Sequence, residues 1–206
     1  PEILGRLVYC GFEIVDHTII NGLTWFVAKK VSAPLSEVNP SYYSVINLNR
    51  VGKDGRMMRV YKIRTMHPYS EFIQDYLIRT NGLDFTGRPA NDYRITCWGK
   101  ILRRFWLDEL PQLVNVIRGD MKLVGLRPLS RVRFNEFPED LKAERIKYKP
   151  GCIPPYIALN MPGDQESIQA ERIYINDLRR HPRTTDLRYF VMAIINMSFN
   201  RIKVSW

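Results

Sequence analysis

The chain has 206 residues, 45% of them hydrophobic and 12% aromatic, which is enough apolar material for a domain of ordinary size and excludes a wholly disordered protein. Its 31 lysines and arginines against 21 aspartates and glutamates give a formal net charge of +10. This charge predicts an anionic partner, which would be nucleic acid, a phosphorylated substrate or the anionic lipid of a cytoplasmic membrane leaflet.

No segment is expected to cross a membrane. The longest charge-free runs, such as residues 189–200, have 12 residues. A helix of that length spans roughly 18 Å, which is short of the ~30 Å hydrocarbon core of a bilayer. An odd number of widely spaced cysteines favours reduced core thiols in the cytosol, at Cys10, Cys97 and Cys152. The histidines lack metal-binding spacing and are expected on the surface or in packing; they are His17, His67 and His181.

The N-terminal part of the chain has β patterns. Residues 7–16 alternate and are rich in β-forming side chains, and Asn21-Gly22 is a favoured type I′ hairpin turn between residues 18–20 and 23–29. Residues 31–40, with two prolines and two serines, predict a linker. We therefore expect two parts: a hairpin and linker over residues 1–40, for which the tail of an upstream domain is one interpretation, and a main domain over residues 41–206.

A second hairpin pattern covers residues 45–51 and 57–64, on either side of Lys53-Asp54-Gly55. Lys62 and Arg64 occupy alternate positions at its end. They either line the solvated face of a strand or point two cations into an anion site. Helical spacing follows over residues 69–79, and a loop rich in glycine over residues 81–91.

Two helices are predicted in the middle of the chain. Thr96 is a good cap for the first, and Asp108 is expected to cap the second, which Gly119 ends. The apolar positions of the first recur at helical spacing and are Trp98, Ile101, Leu102 and Phe105. Those of the second predict a buried stripe and are Leu110, Leu113, Val114 and Ile117. A short strand over 121–124 and helices over 134–148, 167–180 and 185–204 complete the prediction.

The adjacent acids Asp108 and Glu109 lie in a basic stretch. Residues 94–133 contain nine lysines and arginines against three acids. A capped helix start, which stabilises by about 1 kcal/mol, explains the pair without any catalysis. However, Arg94, Arg103 and Arg127 could hold a diphosphate, and adjacent carboxylates can share Mg²⁺ with substrate phosphates. Phosphoryl transfer, in which an Asp can be the covalent nucleophile, suits this combination.

Several motifs occur in the order typical of one family. They are Arg50-Val51-Gly52-Lys53-Asp54-Gly55, Tyr61-Lys62-Ile63-Arg64-Thr65-Met66, Asp92-Tyr93-Arg94-Ile95-Thr96, Leu107-Asp108-Glu109-Leu110-Pro111-Gln112-Leu113, Asn115-Val116, Gly119-Asp120-Met121, Leu123-Val124-Gly125 and Arg127-Pro128. With them the chain resembles the bacterial sugar transferase family, the monotopic polyprenyl-phosphate phosphoglycosyl transferases. The resemblance covers about residues 48 to 151 and, more loosely, the C-terminal helices.

The resemblance implies transfer of a sugar phosphate from a nucleotide-diphosphate sugar to polyprenyl (undecaprenyl) phosphate, with release of the nucleoside monophosphate. It implies that Asp108 carries a covalent phosphosugar and that Glu109 assists and helps hold Mg²⁺. By the same resemblance, Arg103 and Arg127 contact phosphate. Further family motif positions, expected in phosphate binding, are Lys62, Arg64 and Arg94.

The resemblance also implies an α/β (α+β) fold of a small sheet and hairpins, with amphipathic helices around an Asp-Glu dyad at a helix N-terminus. It implies a peripheral or monotopic position on the cytoplasmic face of the bacterial inner membrane. The last helix suits either that interface or a protein core; its apolar and terminal residues are Tyr189, Phe190, Met192, Ile194, Ile195, Met197, Phe199, Arg201, Lys203 and Trp206.

Two segments depart from the family pattern. The long apolar helix that normally precedes the Arg-Val-Gly motif is replaced by residues 14–45, which predict a hairpin and linker. After Gly151, the family's Gly-Trp-Ala-Gln-like run is replaced by Cys152-Ile153-Pro154-Pro155-Tyr156. The first departure predicts that the usual membrane anchor is missing from this stretch, so that either an upstream segment replaces it or the enzyme is peripheral. The second affects the expected donor or acceptor specificity.

Two further hypotheses compete with an enzyme. One is a non-catalytic basic protein that binds anionic membrane or nucleic acid, although no nucleic-acid-binding motif occurs and nucleic acid is not an expected partner. The other is a pseudoenzyme subunit of a glycan assembly system, against which the intact Asp108-Glu109 pair argues. The sequence predicts no particular oligomeric state.

Overall fold

The computed structural model describes residues 1–36 and 42–198 and has the mixed helix and strand content that the sequence predicts. The α-helices are α1 (Glu2–Tyr9), α2 (Gln74–Asn81), α3 (Cys97–Arg104), α4 (Leu113–Ile117), α5 (Arg131–Asn135), α6 (Glu139–Arg145), α7 (Pro155–Ala158), α8 (Asp164–Arg180) and α9 (Thr185–Ser198). The 3₁₀ helices are Lys53–Gly55, Ser70–Ile73 and Leu107–Gln112, the last of which we call the dyad helix. The strands are β1 (Phe12–Ile20), β2 (Leu23–Lys30), β3 (Val45–Val51), β4 (Met57–Ile63), β5 (Lys122–Val124) and β6 (Gly151–Ile153).

The described strands pair two by two. β1 pairs with β2 and β3 with β4, both antiparallel, while β5 and β6 are parallel. At the β5–β6 pair a Cβ on Gly151 would lie 2.1 Å from the nitrogen of Gly125, so only glycine fits there. This close approach fixes the backbone immediately before Arg127.

The N-terminal hairpin is confirmed, but the strand predicted over residues 7–16 is partly wrong. Asn21 (φ 52°) and Gly22 (φ 77°) both have the left-handed backbone that a type I′ turn requires. However, α1 continues to Tyr9 and β1 begins only at Phe12. Tertiary packing explains the difference, because Leu4 of α1 is buried in a small core with Ile14, Ile73 and Tyr76. The division at residue 40 stays a prediction, because residues 37–41 lie outside the described part.

The main core lies in the second half of the chain and surrounds α7. All four residues of α7 are buried, and the helix packs against α8 and α9. The core side chains are Val124, Leu126, Leu129, Phe137, Leu141, Tyr156, Ile157, Ala158, Ala170, Tyr174, Ile175, Leu178, Tyr189 and Ala193. The helix predicted over residues 134–148 is wrong as a single element. It is divided into α5 and α6 around Pro138, since Phe137 turns into the core and the residue before proline disfavours helix.

The stripe predicted to be buried on the second central helix is exposed instead. Ile117 is 86% exposed and Leu110 52%, and on the preceding helix Trp98 is 76% exposed. The polar side of these helices faces inward, because Gln112 and Asn115 are 2% and 0% exposed. Two of the cysteines predicted to be core thiols, Cys10 and Cys97, are exposed as well, and all three are free.

The last helix has two different sides. Tyr189, Ala193 and Asn196 are buried, whereas Leu187 and Val191 are exposed. The predicted helix continued to residue 204, and its Phe199, Arg201, Lys203 and Trp206 lie outside the described residues. None of the helices within residues 1–36 and 42–198 combines the length and apolar character that a membrane span requires.

Candidate active site

The dyad helix lies against β4, and α4, which follows it directly in the chain, is joined to β4 through Asn115. The Asn115 side chain donates to the carbonyl of Arg59 (2.7 Å) and accepts from the backbone N–H of Tyr61 (3.3 Å). These bonds hold the first turn of the dyad helix beside the next residue of β4, Lys62. The Lys62 ammonium therefore lies 3.2 Å from Oδ2 of Asp108 and 2.7 Å from Oε1 of Glu109.

Asp108 is not the N-cap that the sequence predicts. The dyad helix starts after Trp106, which has left-handed backbone (φ 58°), and Asp108 is its second residue. No side chain caps this short 3₁₀ helix. The turn at Trp106 separates it from α3 and directs the Asp108 carboxylate inward, where it is 5% exposed. The surrounding cations, rather than a helix dipole, therefore set the electrostatics of the pair.

The two carboxylates have different surroundings. Glu109 is held at both oxygens, by Lys62 at Oε1 and by the Gln112 amide at Oε2 (2.5 Å). Burial raises the pKa of Glu109, but Lys62, Arg127 and the Gln112 hydrogen bond together bring it below the ordinary value. Glu109 is therefore ionised at neutral pH. Asp108 is held only through Oδ2 among the described contacts, so its other oxygen is available to a substrate.

Arg127 interacts electrostatically with the dyad and is held by Tyr156. Its guanidinium donates to the Tyr156 hydroxyl (3.4 Å) and lies 5.7 Å from the centre of that ring. Electrostatic interaction with Tyr156, opposed by burial and supported by Glu109 and Asp108, raises the pKa of Arg127. Arg145 fixes the backbone here, since its guanidinium donates to the Arg127 carbonyl (2.5 Å). The run that departs from the family pattern thus supplies the side chain that positions Arg127.

Arg103 approaches the dyad from α3. Its Nε donates to the Thr65 hydroxyl (3.0 Å), at the end of the motif that carries Lys62. Burial lowers the pKa of Arg103, and the Asp108 carboxylate opposes this effect. Arg103, Arg127 and Lys62, three of the cations predicted from the sequence, are therefore brought together around Asp108 and Glu109.

The other two predicted cations are engaged elsewhere. Arg94 is 3% exposed and pairs with Asp92 through Nε (2.8 Å) and Nη2 (2.7 Å), while Nη1 donates to Gln74. Arg64 donates to the backbone carbonyl of Tyr43. Neither contacts Asp108 or Glu109 in residues 1–36 and 42–198.

Sequence reasoning missed two arginines that do reach the site. Burial and the neighbouring Arg127 lower the pKa of both Arg50 and Arg88, and Glu109 opposes the shift in each. Arg50 lies in the first motif of the resemblance, which is a signal that could have identified it. Arg88 belongs to a loop between predicted helices and had no such signal. With them, five cations face two carboxylates, which leaves a formal excess of three positive charges for an anionic substrate.

The residues present fit a divalent cation completed by substrate phosphate. Asp108 and Glu109 offer the carboxylate oxygens that Mg²⁺ prefers, and one or two of these with phosphate oxygens are a common Mg²⁺ ligand set. Beside them Oε1 of Gln112 is buried and has no hydrogen-bond partner in the described chain. Groups of three or more His, Cys, Asp or Glu residues that would form an all-protein metal site do not occur in that part.

Cys152 and the histidines do not add a second catalytic centre. Burial and the nearby Glu109 raise the pKa of Cys152 to about 12, so its thiol stays protonated. His17 contacts the Tyr76 hydroxyl (2.8 Å) in the N-terminal core, away from the dyad. The candidate chemistry is therefore confined to the carboxylate pair and its cations.

The fold and site define a mixed α/β protein with a partly buried acidic pair among cations, which is a setting for phosphate chemistry. Residues 17–199 match the family model for the bacterial sugar transferase family. The chain therefore belongs to the bacterial sugar transferase family.

Individual relatives match the central part of the chain. It is 38% identical over 109 residues (52% of this chain, 24% of the relative) to the galactosyl transferase CpsE of Streptococcus agalactiae serotype III (strain NEM316). It is 37% identical over 99 residues (45% and 20%) to the undecaprenyl-phosphate galactose phosphotransferase of Salmonella typhimurium. It is 34% identical over 125 residues (60% and 43%) to the UDP-glucose:undecaprenyl-phosphate glucose-1-phosphate transferase of Caulobacter vibrioides. The matches thus span less than half the length of these relatives.

Proposed function

We propose that this protein is an enzyme that transfers a sugar phosphate from a nucleotide-diphosphate sugar to undecaprenyl or another polyprenyl phosphate. The lipid-linked product would begin a cell-surface glycan. The observation that carries the proposal is the buried Asp108 carboxylate. Lys62 holds one of its oxygens, and the carboxylate interacts electrostatically with Arg103 and Arg127. The relatives' names support the substrate classes, since two of them name undecaprenyl phosphate and one of these also names UDP-glucose.

The first half-reaction forms a covalent intermediate. A carboxylate oxygen of Asp108 attacks the β-phosphorus of the donor, and the bond from that phosphorus to the oxygen bridging the two phosphates breaks. The nucleoside monophosphate leaves with that oxygen and its electron pair, while Arg103 and Arg127 stabilise the charge on the transferring group. Glu109, ionised and paired with Lys62, keeps the ammonium beside the nucleophile.

The second half-reaction restores Asp108. A phosphate oxygen of the polyprenyl phosphate attacks the phosphorus of the phosphosugar, and the bond between phosphorus and Asp108 breaks. The carboxylate regains its electron pair and the product is a polyprenyl diphosphate sugar. Mg²⁺, held by Asp108 and Glu109 together with substrate phosphate, would neutralise charge on the phosphates.

We also propose that the protein works at the cytoplasmic face of the bacterial inner membrane, in a peripheral or monotopic position. The support is a set of exposed apolar side chains in residues 98–117, which comprise α3, the dyad helix and α4. They are Trp98, Ile101, Phe105, Leu107, Leu110, Leu113, Val114 and Ile117. Lys100, Arg104 and Arg118 lie exposed among them and suit anionic headgroups.

The test is a screen of nucleotide sugars with polyprenyl phosphate in detergent, followed by release of the nucleoside monophosphate. We expect release with wild type, and loss of both turnover and the phosphosugar adduct in Asp108→Asn. The adduct is detected by intact-protein mass spectrometry with donor alone. Asp120→Asn, an exposed acid twelve residues away, is the matched control. Near-normal turnover in Asp108→Asn would refute the assigned nucleophile.

A further inference from the structure

Thr65 attaches α3 to the segment that follows β4. Its backbone carbonyl accepts from the backbone N–H of Thr96 (3.0 Å) and from the Thr96 hydroxyl (3.3 Å). A Cβ on Gly99 would lie 2.0 Å from the same carbonyl oxygen, so only glycine fits there. Thr65 itself is 6% exposed. The first turn of α3 therefore lies in direct contact with the backbone of Thr65.

The side chain of Thr65 extends this contact along α3. Its hydroxyl accepts from Nε of Arg103 (3.0 Å). Thr96, Gly99 and Arg103 are separated by three and four residues, so they lie along one side of the helix. Thr65 therefore contacts one side of α3 over its whole length, and its hydroxyl holds the guanidinium at the end of that side.

Thr65 is also close to the dyad in the chain. Lys62, three residues earlier, lies 3.2 Å from Oδ2 of Asp108 and 2.7 Å from Oε1 of Glu109. Three residues of extended chain span at most about 10 Å. The hydrogen bond to Thr65 therefore holds Arg103 near the end of β4 that carries the lysine of the dyad.

The bond to Thr65 leaves the outer end of Arg103 open. A guanidinium has five N–H groups, and Thr65 accepts from the one on Nε. Within residues 1–36 and 42–198, Nη1 and Nη2 of Arg103 have no hydrogen bond or ion pair. Two terminal guanidinium nitrogens form a fork that matches two oxygens of one phosphate. The Thr65 hydroxyl thus fixes the inner nitrogen and directs the fork away from itself.

We infer that Thr65 is a positioning residue, which holds Arg103 by Nε so that its two terminal nitrogens bind a phosphate of the donor. The inference rests on the proposed function, in which Arg103 stabilises the charge on the transferring group. Thr65 acts through Arg103 and does not contact the reacting atoms. Without the hydroxyl, the fork turns freely and binds the phosphate less often in the productive direction.

A double-mutant cycle tests whether Thr65 acts through Arg103. Thr65→Val removes the hydroxyl and keeps the branched shape, while Arg103→Gln removes the guanidinium. We expect Thr65→Val to lower kcat/KM for the donor at least about fivefold in the wild-type background, and less than about 1.5-fold in the Arg103→Gln background. An equal loss in both backgrounds, or no loss in the wild-type background, would overturn the inference.

Two further variants separate positioning from support of the fold. Thr65→Ser keeps the hydroxyl, and we expect its kcat/KM to lie within about twofold of wild type. Thr18→Val makes the same exchange as Thr65→Val at an exposed position of β1 and should leave kcat/KM unchanged. The melting temperature of Thr65→Val should stay within about 4 °C of wild type, since one hydrogen bond is lost. A Thr65→Ser variant as slow as Thr65→Val would overturn the inference.

Binding distinguishes failure of the inference from failure of the proposed function. Titration calorimetry with UDP in the Asp108→Asn background requires no turnover. We expect Thr65→Val to weaken UDP binding at least about threefold when Arg103 is present, and to have no effect beside Arg103→Gln. Equal UDP affinity in the Thr65→Val and Thr18→Val variants would overturn the inference. Absence of nucleoside monophosphate release from the wild type would refute the proposed function instead, and the UDP titration would still decide whether Thr65 positions Arg103.

Discussion

At the scale of single residues, the site depends on side chains that position others. Tyr156 occupies the run that departs from the family pattern, and it holds Arg127 through its hydroxyl and its ring. Arg127 in turn faces the dyad. The run that departs in sequence therefore supplies a support for Arg127, which we propose to bind phosphate.

Removing the Tyr156 hydroxyl should weaken donor binding without loosening the core. Tyr156→Phe keeps the packed ring but loses a long hydrogen bond to a cation, and such a loss is worth about 1 kcal/mol. We expect the donor KM to rise about fivefold with little change in melting temperature. Steady-state kinetics over a donor series check this, with Tyr148→Phe as control. An unchanged KM would show that the hydroxyl does not orient Arg127.

Lys62 should make stability depend on pH through Glu109. The folded pKa of Glu109 is lowered, so its contribution is present above the unfolded pKa, about 4.3, and is lost as the pH falls through the folded value. We expect Lys62→Met to lower the free energy of unfolding by about 2–3 kcal/mol at pH 7. This difference from wild type should shrink by at least about 1 kcal/mol by pH 3, because the protonated Glu109 carboxyl no longer attracts Lys62.

Urea unfolding at several pH values measures both differences. The matched control is Lys142→Met, since Lys142 pairs with Glu139, which is 91% exposed, and such a pair contributes little. A difference between wild type and Lys62→Met that stays constant from pH 7 to pH 3 would contradict the coupling between Lys62 and the dyad.

At the scale of elements, the site is the contact between β4 and the dyad helix. The local sequence pattern predicted a strand and a helix in these two segments, but it did not predict that they are in contact. Asn115 of α4, the helix directly after the dyad helix, supports this contact with two hydrogen bonds to the backbone of β4, and its side chain is fully buried. Asn115, a polar residue on the inward side of its helix, therefore aligns Lys62 with the two carboxylates.

Replacing Asn115 should damage both stability and catalysis. Asn115→Ala leaves the Arg59 carbonyl and the Tyr61 N–H without their partner, and we expect a loss of about 2–4 kcal/mol in unfolding free energy. Turnover should fall at least tenfold, because Lys62 is displaced from Asp108. Urea unfolding and nucleoside monophosphate release check the two effects. Asn176→Ala on the exposed side of α8 is the control, and full turnover in a destabilised Asn115→Ala would contradict this role.

At the scale of the whole molecule, the polar sides of the central helices face inward and their apolar sides face outward. This inversion explains why the predicted buried stripe is wrong. Amphipathic spacing shows that a helix has an apolar side but does not show whether protein or another apolar phase covers it. The exposed apolar side chains consequently lie on the helix that carries the dyad and on the two helices next to it in the chain.

Charges on this exposed apolar side should weaken membrane binding and leave the fold intact. We expect the double variant Trp98→Glu and Ile117→Glu to reduce partitioning onto phosphatidylglycerol vesicles at least tenfold, since each loses a large apolar contact and adds repulsion. Because both side chains are exposed, the melting temperature should not change. Vesicle sedimentation measures partitioning, with Val132→Glu, also exposed, as control. Equal partitioning of the two variants would contradict the proposed membrane surface.

The sequence by itself determined the features that depend on near neighbours. The Asn21-Gly22 turn follows from local backbone preference, and Thr96 caps α3 by accepting from the Gly99 N–H (2.8 Å). The family and the acidic pair could also be identified from the sequence, because each motif is a contiguous run and the motifs occur in the family's order. The division of residues 134–148 into two helices could have been predicted from Pro138, because the residue before a proline disfavours helical backbone.

Only the tertiary structure decided which distant residues meet and which side of a helix faces inward. Arg88 and Arg50 join the site from a loop and from β3, whereas Arg94 pairs with Asp92 instead. Motif membership does not identify the arginines of the site, since Arg50 and Arg94 both lie in motifs of the resemblance and Arg88 lies in none. Their roles depend on long-range packing, which brings opposite or like charges within range and thereby fixes whether a cation is neutralised by the protein or left for a substrate.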